Sequence, residues 1–277
     1  ALVDARRPEE LRADGELALL KAMARRFPPG GGFELVTRSD APPGSGLGGS
    51  GALGVALAAA LGAARGERRL PAEIAGLAHE VELHDAGVLG GKQDQYAAAL
   101  GGLQFLTFGD PEVSLARLDV PAACLRELEL HLVLCYTGAS RVSGETHRRV
   151  WDRYAAGDAE IVRALDGLRG CALAMREALE RGDVGRVAEV LNENWRYQRA
   201  LGAELETERM RELERVAFAA GADGVKACGA GAGGCLVFLA KPGREFDVAE
   251  ALRGAGGQVL RFTFDTTGVV TWVETER

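Results

Sequence analysis

Residues 42–52 read Pro42-Pro43-Gly44-Ser45-Gly46-Leu47-Gly48-Gly49-Ser50-Gly51-Ala52, with five glycines between 44 and 51. Glycine lets consecutive backbone N–H groups turn toward an anion and lets the anion approach the main chain closely. The apolar run over 52–64 predicts a helix whose positive end points at the same place. The chemistry this pattern offers is the holding of nucleotide phosphates. A second group of reactive residues lies in Gly90-Gly91-Lys92-Gln93-Asp94-Gln95-Tyr96. A carboxylate beside a cation stays ionised near neutral pH, so Asp94 beside Lys92 can take or orient a hydroxyl proton. Lys92 can also neutralise phosphate charge. Glu82 stands four residues after Ala78 and eight after Ile74, on the border of the inward row of a predicted helix. It is the candidate carboxylate for a hard cation such as magnesium.

Two common phosphate loops do not fit. Gly44-x-Gly46-x-x-Gly49 matches the dinucleotide fingerprint by letter, but that fingerprint needs a second parallel strand ending in an acid. Residues 71–86 read instead as another helix. The Walker loop needs Lys-Ser or Lys-Thr after its last glycine, and Gly49 is followed directly by Ser50.

The elements that must position these residues follow from period and punctuation. Residues 8–27 are expected to be helical and are stopped by Pro28-Pro29-Gly30-Gly31-Gly32. Residues 33–38 read as a short strand feeding the loop. Pro71 suits the first turn of the next helix. Residues 103–108 and 113–118 read as strands around a turn, and 129–136 as a strong strand. Helices are expected over 158–181, 184–202 and 206–220. Strands are expected over 235–240, 258–264 and 269–273. Helices interleaved with strands predict a two-domain α+β architecture, with domains at 1–120 and 121–277.

The loop resembles the phosphate loop of the GHMP kinases (galactokinase, homoserine kinase, mevalonate kinase, phosphomevalonate kinase), Pro-x-x-x-Gly-Leu-Gly-Ser-Ser-Ala. Gly49 replaces the first of that pattern's paired serines, and Ser50 retains the second. The resemblance implies that Pro43, Gly44, Ser45, Gly46, Leu47, Gly48, Gly49 and Ser50 surround the phosphates of ATP. It also implies that Ser50 and Glu82 hold Mg2+. In galactokinase-like members the metal glutamate precedes the catalytic aspartate by twelve residues, as Glu82 precedes Asp94. The stretch from Gly90 to Gly102, and Tyr136-Thr137-Gly138-Ala139-Ser140-Arg141, resemble the heptose-phosphate kinase and fucokinase-type branch. Lys226-Ala227-Cys228-Gly229-Ala230-Gly231-Ala232-Gly233-Gly234-Cys235 resembles the third motif of the family.

From this resemblance follow a left-handed β-α-β first domain and a ferredoxin-like second one. The implied reaction is transfer of phosphate from ATP to the anomeric hydroxyl of D-glycero-D-manno-heptose 7-phosphate. Arg141, Gly91 and Gly231 are then expected beside the sugar, since a guanidinium forks well onto phosphate. An L-fucose- or galactose-type hexose is the alternative acceptor, and a non-catalytic GHMP-fold binding protein the reading from another class. The Arg-x-Pro-x-Arg-like element that opens family members is not found after Ala1. The first domain is therefore expected to be shortened or to depart from the family there.

Composition bounds these readings. The 277 residues are 47% hydrophobic and 26% charged, which suits one or two domains with a real core. A formal charge of −7 argues against a nucleic-acid partner. No run approaches the roughly 18 apolar residues of a membrane span, and no signal peptide is visible. The five cysteines and four histidines are scattered without metal spacing. The expectation is a cytoplasmic protein with reduced thiols, no membrane or zinc partner, and a possible homodimer.

Overall fold

The computed structural model describes residues 3–109, 112–139 and 144–274, with only the backbone of 144–147. Two compact units divide them. The first comprises Ala1–Pro42, Gly48–Gly102 and Asp265–Arg277; the second comprises Pro43–Leu47 and Leu103–Phe264. The division therefore falls at 102/103 rather than at 120, and the C-terminal stretch belongs with the first unit.

In the first unit four helices pack on one another: α1 (Ala18–Arg26), α2 (Gly49–Ala64), α3 (Pro71–Glu80) and α4 (Gln93–Leu100). α2 is apolar nearly all round, as a helix buried on most sides must be. It shares a core with Met23, Ile74, Ala78, Val81 and Ala99. Pro71 opens α3 as expected, and Glu73 accepts from the Leu70 N–H to complete that end. The predicted single helix over 8–27 is a short 3-10 turn, Pro8–Glu10, and then α1. Gly15 and Leu17 have left-handed backbone between them, which interrupts any continuous helix.

Neither 33–38 nor 269–273 is a strand. Among the described residues neither pairs with a neighbouring strand to make the ladder hydrogen bonds that define a sheet. Val36 and Trp272 are accordingly 81% and 75% exposed. The Val269 N–H donates to the Ala99 carbonyl, which ties the C-terminal stretch to α4. The described residues of the first unit form helices, and the paired strands at 104–108 and 113–117, inside the bounds expected for the first domain, are counted with the second unit.

The second unit opens with the hairpin β1 (Gln104–Phe108) and β2 (Val113–Arg117). A four-stranded antiparallel sheet follows, in the order β4 (Ala222–Ala227), β5 (Cys235–Ala240), β3 (Leu132–Tyr136), β6 (Gln258–Leu260). Its register pairs Cys135 with Leu236 and Tyr136 with Cys235. The helices are α5 (Ala122–His131), α6 (Gly144–Ala155), α7 (Ala159–Arg181), α8 (Val184–Arg199), α9 (Glu208–Ala220) and α10 (Glu245–Gly254).

The period of two along β5 sorts the core. Leu236, Phe238 and Ala240 meet Met210, Leu213, Val248 and Leu252, from α9 and α10. Leu239 meets Leu128, Leu179 and Leu191, from α5, α7 and α8. The helices over 158–220 match their expected bounds closely. The strand expected over 129–136 begins only at 132. Residues 129–131 finish α5, whose Cys124 and Leu128 form a buried i, i+4 pair while Leu130 points to solvent. β6 is shorter than the expected 258–264. No helix among the described residues is long and apolar enough to cross a membrane.

Candidate functional site

The glycine loop folds as its composition requires. Gly44, Gly46 and Gly48 have φ of 66°, 74° and 72°, a region that favours glycine. Gly48 is the N-cap of α2 and, as a glycine, brings no capping side chain of its own. The first N–H groups of a helix have no acceptor within the helix itself and suit an anion. Ser50 sits exposed in this first turn.

In the first unit Asp94 lies against this helix end. A Cβ on Gly48 would come within 3.2 Å of Asp94 Cγ, and one on Gly51 within 2.7 Å of Asp94 Cβ. The two glycines are therefore the space into which α4 places its acid. A sequence reading assigns them to the loop; only the packing shows that they also admit Asp94.

Glu82 lies in a single π turn, Val81–Asp85, that follows α3. The Ala86 N–H donates to the Val81 carbonyl, one residue further back than in an α-helix. Such widened turns recur at functional sites because they re-aim side chains. Glu82 is only 8% exposed, and Gln95 Nε2 donates to its Oε2. Gln95 is 3% exposed, and its own Oε1 has no hydrogen-bond partner among the described residues. Sequence reading missed Gln95, although its place next to Asp94 and thirteen residues after Glu82 was available as a signal.

Burying an ionised carboxylate is costly unless a charged partner or a metal ion offsets it. Glu82 makes no ion pair among the described residues, and a carboxylate oxygen is the kind of ligand a hard divalent ion takes. Lys92, half-buried at the N-cap of α4, makes no ion pair among the described residues. Its charge reaches His79, whose pKa is lowered by burial first and by Lys92 next.

The second unit holds the other half of the loop. Ser45 is 3% exposed, and its carbonyl accepts from the Cys235 N–H at 2.7 Å. A Cβ on Gly46 would meet the Cys228 carbonyl oxygen at 2.6 Å, and one on Gly234 the Ser45 oxygen at 2.6 Å. Residues 43–47 thus lie backbone to backbone on the glycine turn between β4 and β5. Gly231 has φ 85°, and a side chain there would meet the Leu205 carbonyl at 2.8 Å. Gly91 is exposed just before α4. Arg141 lies outside the described residues.

Comparison with known proteins agrees with these motifs. The family described as "GHMP kinases N terminal domain" matches residues 17–102. "GHMP kinases C terminal" matches residues 175–258. The chain is 34% identical to the D-glycero-alpha-D-manno-heptose 7-phosphate kinase of Campylobacter jejuni, over 95% of this chain and 79% of that protein. It is 32% identical to the mevalonate kinase of Pyrococcus horikoshii, over 82% of this chain and 64% of that protein. The solved structure of a D-glycero-D-manno-heptose 1-phosphate kinase from Bacteriodes thetaiotaomicron is 30% identical, with a TM-score of 0.73. It covers 95% of this chain, which spans 76% of that one.

Proposed function

Because the chain belongs to the GHMP kinase family and is a phosphotransferase of the sugar-kinase type, we propose that ATP is its donor and the anomeric hydroxyl of D-glycero-D-manno-heptose 7-phosphate its acceptor. The observation that carries this reading is the seat of Asp94 against Gly48 and Gly51, at the start of α2. It sets an acid suited to a hydroxyl proton beside backbone N–H groups suited to phosphate. The names of the heptose-phosphate relatives support the sugar.

In the proposed reaction the loop from Pro43 to Ser50 cradles the ATP phosphates through its N–H groups and the α2 dipole. The anomeric oxygen of the sugar attacks the γ-phosphorus in line, its proton passes to Asp94, and ADP leaves. Lys92 offsets phosphate charge. Ser50 and Glu82 would hold Mg2+, which would neutralise charge on the phosphates. Arg141 takes the 7-phosphate of the sugar, and the backbone at Gly91 and Gly231 adjoins the acceptor.

Phosphorus NMR with ATP, magnesium and a panel of sugars tests this. A new anomeric phosphate signal with the heptose 7-phosphate, absent with free hexoses, is expected. Signal only with a free hexose would keep the kinase and overturn the acceptor. ATP binding without transfer to any sugar would point to a binding protein.

A further inference from the structure

Gln198, on α8, takes no part in the motifs that mark this family, yet it is a buried polar side chain, only 7% exposed. Both ends of its amide are engaged. Nε2 donates to the Gly229 carbonyl at 2.8 Å, and Oε1 accepts from Lys226 Nζ at 3.5 Å. Lys226 Nζ also donates to the Ala227 carbonyl at 2.8 Å. Burial pushes the Lys226 ammonium below its ordinary pKa. The lysine faces Gln198 and the thiol of Cys228, whose own pKa burial raises to about 11. A buried amide with both ends satisfied fixes what it bonds. What Gln198 bonds is the start of the glycine turn, and that turn carries the first half of the phosphate loop. A Cβ on Gly229 would lie 3.0 Å from Gly46 Cα. The turn leaves no slack on its other side, because the Ala232 N–H donates to the Leu205 carbonyl at 2.6 Å.

We infer that Gln198 is a positioning residue for the nucleotide: by gripping the Gly229 carbonyl it sets the turn on which Ser45 and Gly46 rest, and so the loop that receives the ATP phosphates. This rests on the proposed role of the loop. Gln198 itself touches neither substrate. Its loss should therefore weaken ATP first and reach the sugar only through Gly231 of the same turn.

The test uses the full chain with three variants, Gln198→Met, Gln198→Glu and, for the loop itself, Gly46→Ala. Gln198→Met keeps the shape and removes both hydrogen bonds. Gln198→Glu keeps a partner for Lys226 and removes only the donor to Gly229. Affinity for a fluorescent ATP analogue and the KM values for both substrates are measured.

Loss of a hydrogen bond to a buried carbonyl predicts that both Gln198 variants raise the ATP-analogue Kd and the KM for ATP about tenfold. The sugar KM should rise less than the KM for ATP, because the sugar meets this turn only at Gly231. A Gln198 role limited to stability would lower Tm and leave ATP affinity unchanged, which overturns the inference. If Gly46→Ala weakens ATP and the Gln198 variants do not, the loop keeps its role and Gln198 loses this one. If none of the three alters ATP binding, the reading of the loop itself fails. Hydrogen exchange on the unaltered chain supplies a result that does not depend on any variant folding. ATP should slow exchange at 229–235 as well as at 43–50, and protection confined to 43–50 would refute the coupling.

Discussion

Asp94 occupies a space that exists only because residues 48 and 51 lack side chains. Asp94→Asn preserves that fit and removes the proton acceptor, so turnover should fall by about 10²–10⁴ with ATP affinity retained. Near-normal turnover in that variant, measured by coupled assay, would remove Asp94 from the chemistry. Gly51→Ala makes the complementary change. Its methyl group would sit 2.7 Å from Asp94 Cβ and 3.0 Å from the Asp94 carbonyl carbon, and backbone cannot yield there cheaply. The expected outcome is a kcat lowered about a hundredfold, since a small misplacement of a positioned group costs on that scale. Glu82→Gln removes the buried charge but leaves an amide facing Gln95. The magnesium concentration for half-maximal rate should rise, and electron paramagnetic resonance should show weaker Mn2+ binding. Unchanged titrations would exclude Glu82 as a ligand.

At the scale of elements, the two kinds of segment in this chain differ in how firmly their sequences determine them. α7, α8 and α9 carry their own start signals. Asp158 and Asp183 accept from N–H groups in the first turns of α7 and α8, and Thr207 Oγ1 accepts from the Met210 N–H of α9. Thr207→Ala should lower stability by about 1 kcal/mol, read as a shift in the urea midpoint, with KM values unchanged. The strand-like segments carry no such signal of their own. Residues 33–38 and 269–273 have strand composition, but a strand is defined by its neighbour's hydrogen bonds. The same dependence explains 129–131, whose alternating pattern suits a strand but whose backbone closes α5. The π turn at Val81–Asp85 is also a packing outcome. In sequence it reads as a continuation of α3, and the aim of Glu82 changes with it.

Across the whole molecule, all five cysteines are free, and burial raises every thiol pKa. Cys135 is pushed up to about 11 and Cys235 to about 12, from an ordinary 9.0. The folded chain therefore keeps these protons while the unfolded chain begins to release them near pH 9. This favours unfolding as pH rises from about 9 toward 11, so the denaturant midpoint should fall over that window. Below it the thiols add no pH dependence. An Ellman titration at pH 8 should be slow in the native chain and reach five thiols only after unfolding. Rapid native labelling would contradict the burial.

The family and the chemistry were legible in local strings of residues. The glycine loop, the Lys92–Asp94 segment and the turn before Cys235 are short, and their backbone demands allow few other residues. Sequence alone thus determined which backbone can receive phosphate, which acids are available, and that helices and strands alternate. Tertiary structure decided what those pieces rest on. It divided the glycine loop between the two compact units, with Pro43–Leu47 counted in one and Gly48 onward in the other. It also showed that Gln95 and Gln198, unremarkable as letters, are the amides that hold Glu82 and Gly229. The physical reason is that a buried amide acquires its role from the partner that burial gives it. That partner lies thirteen residues away in one case and thirty-one in the other, beyond the reach of local pattern.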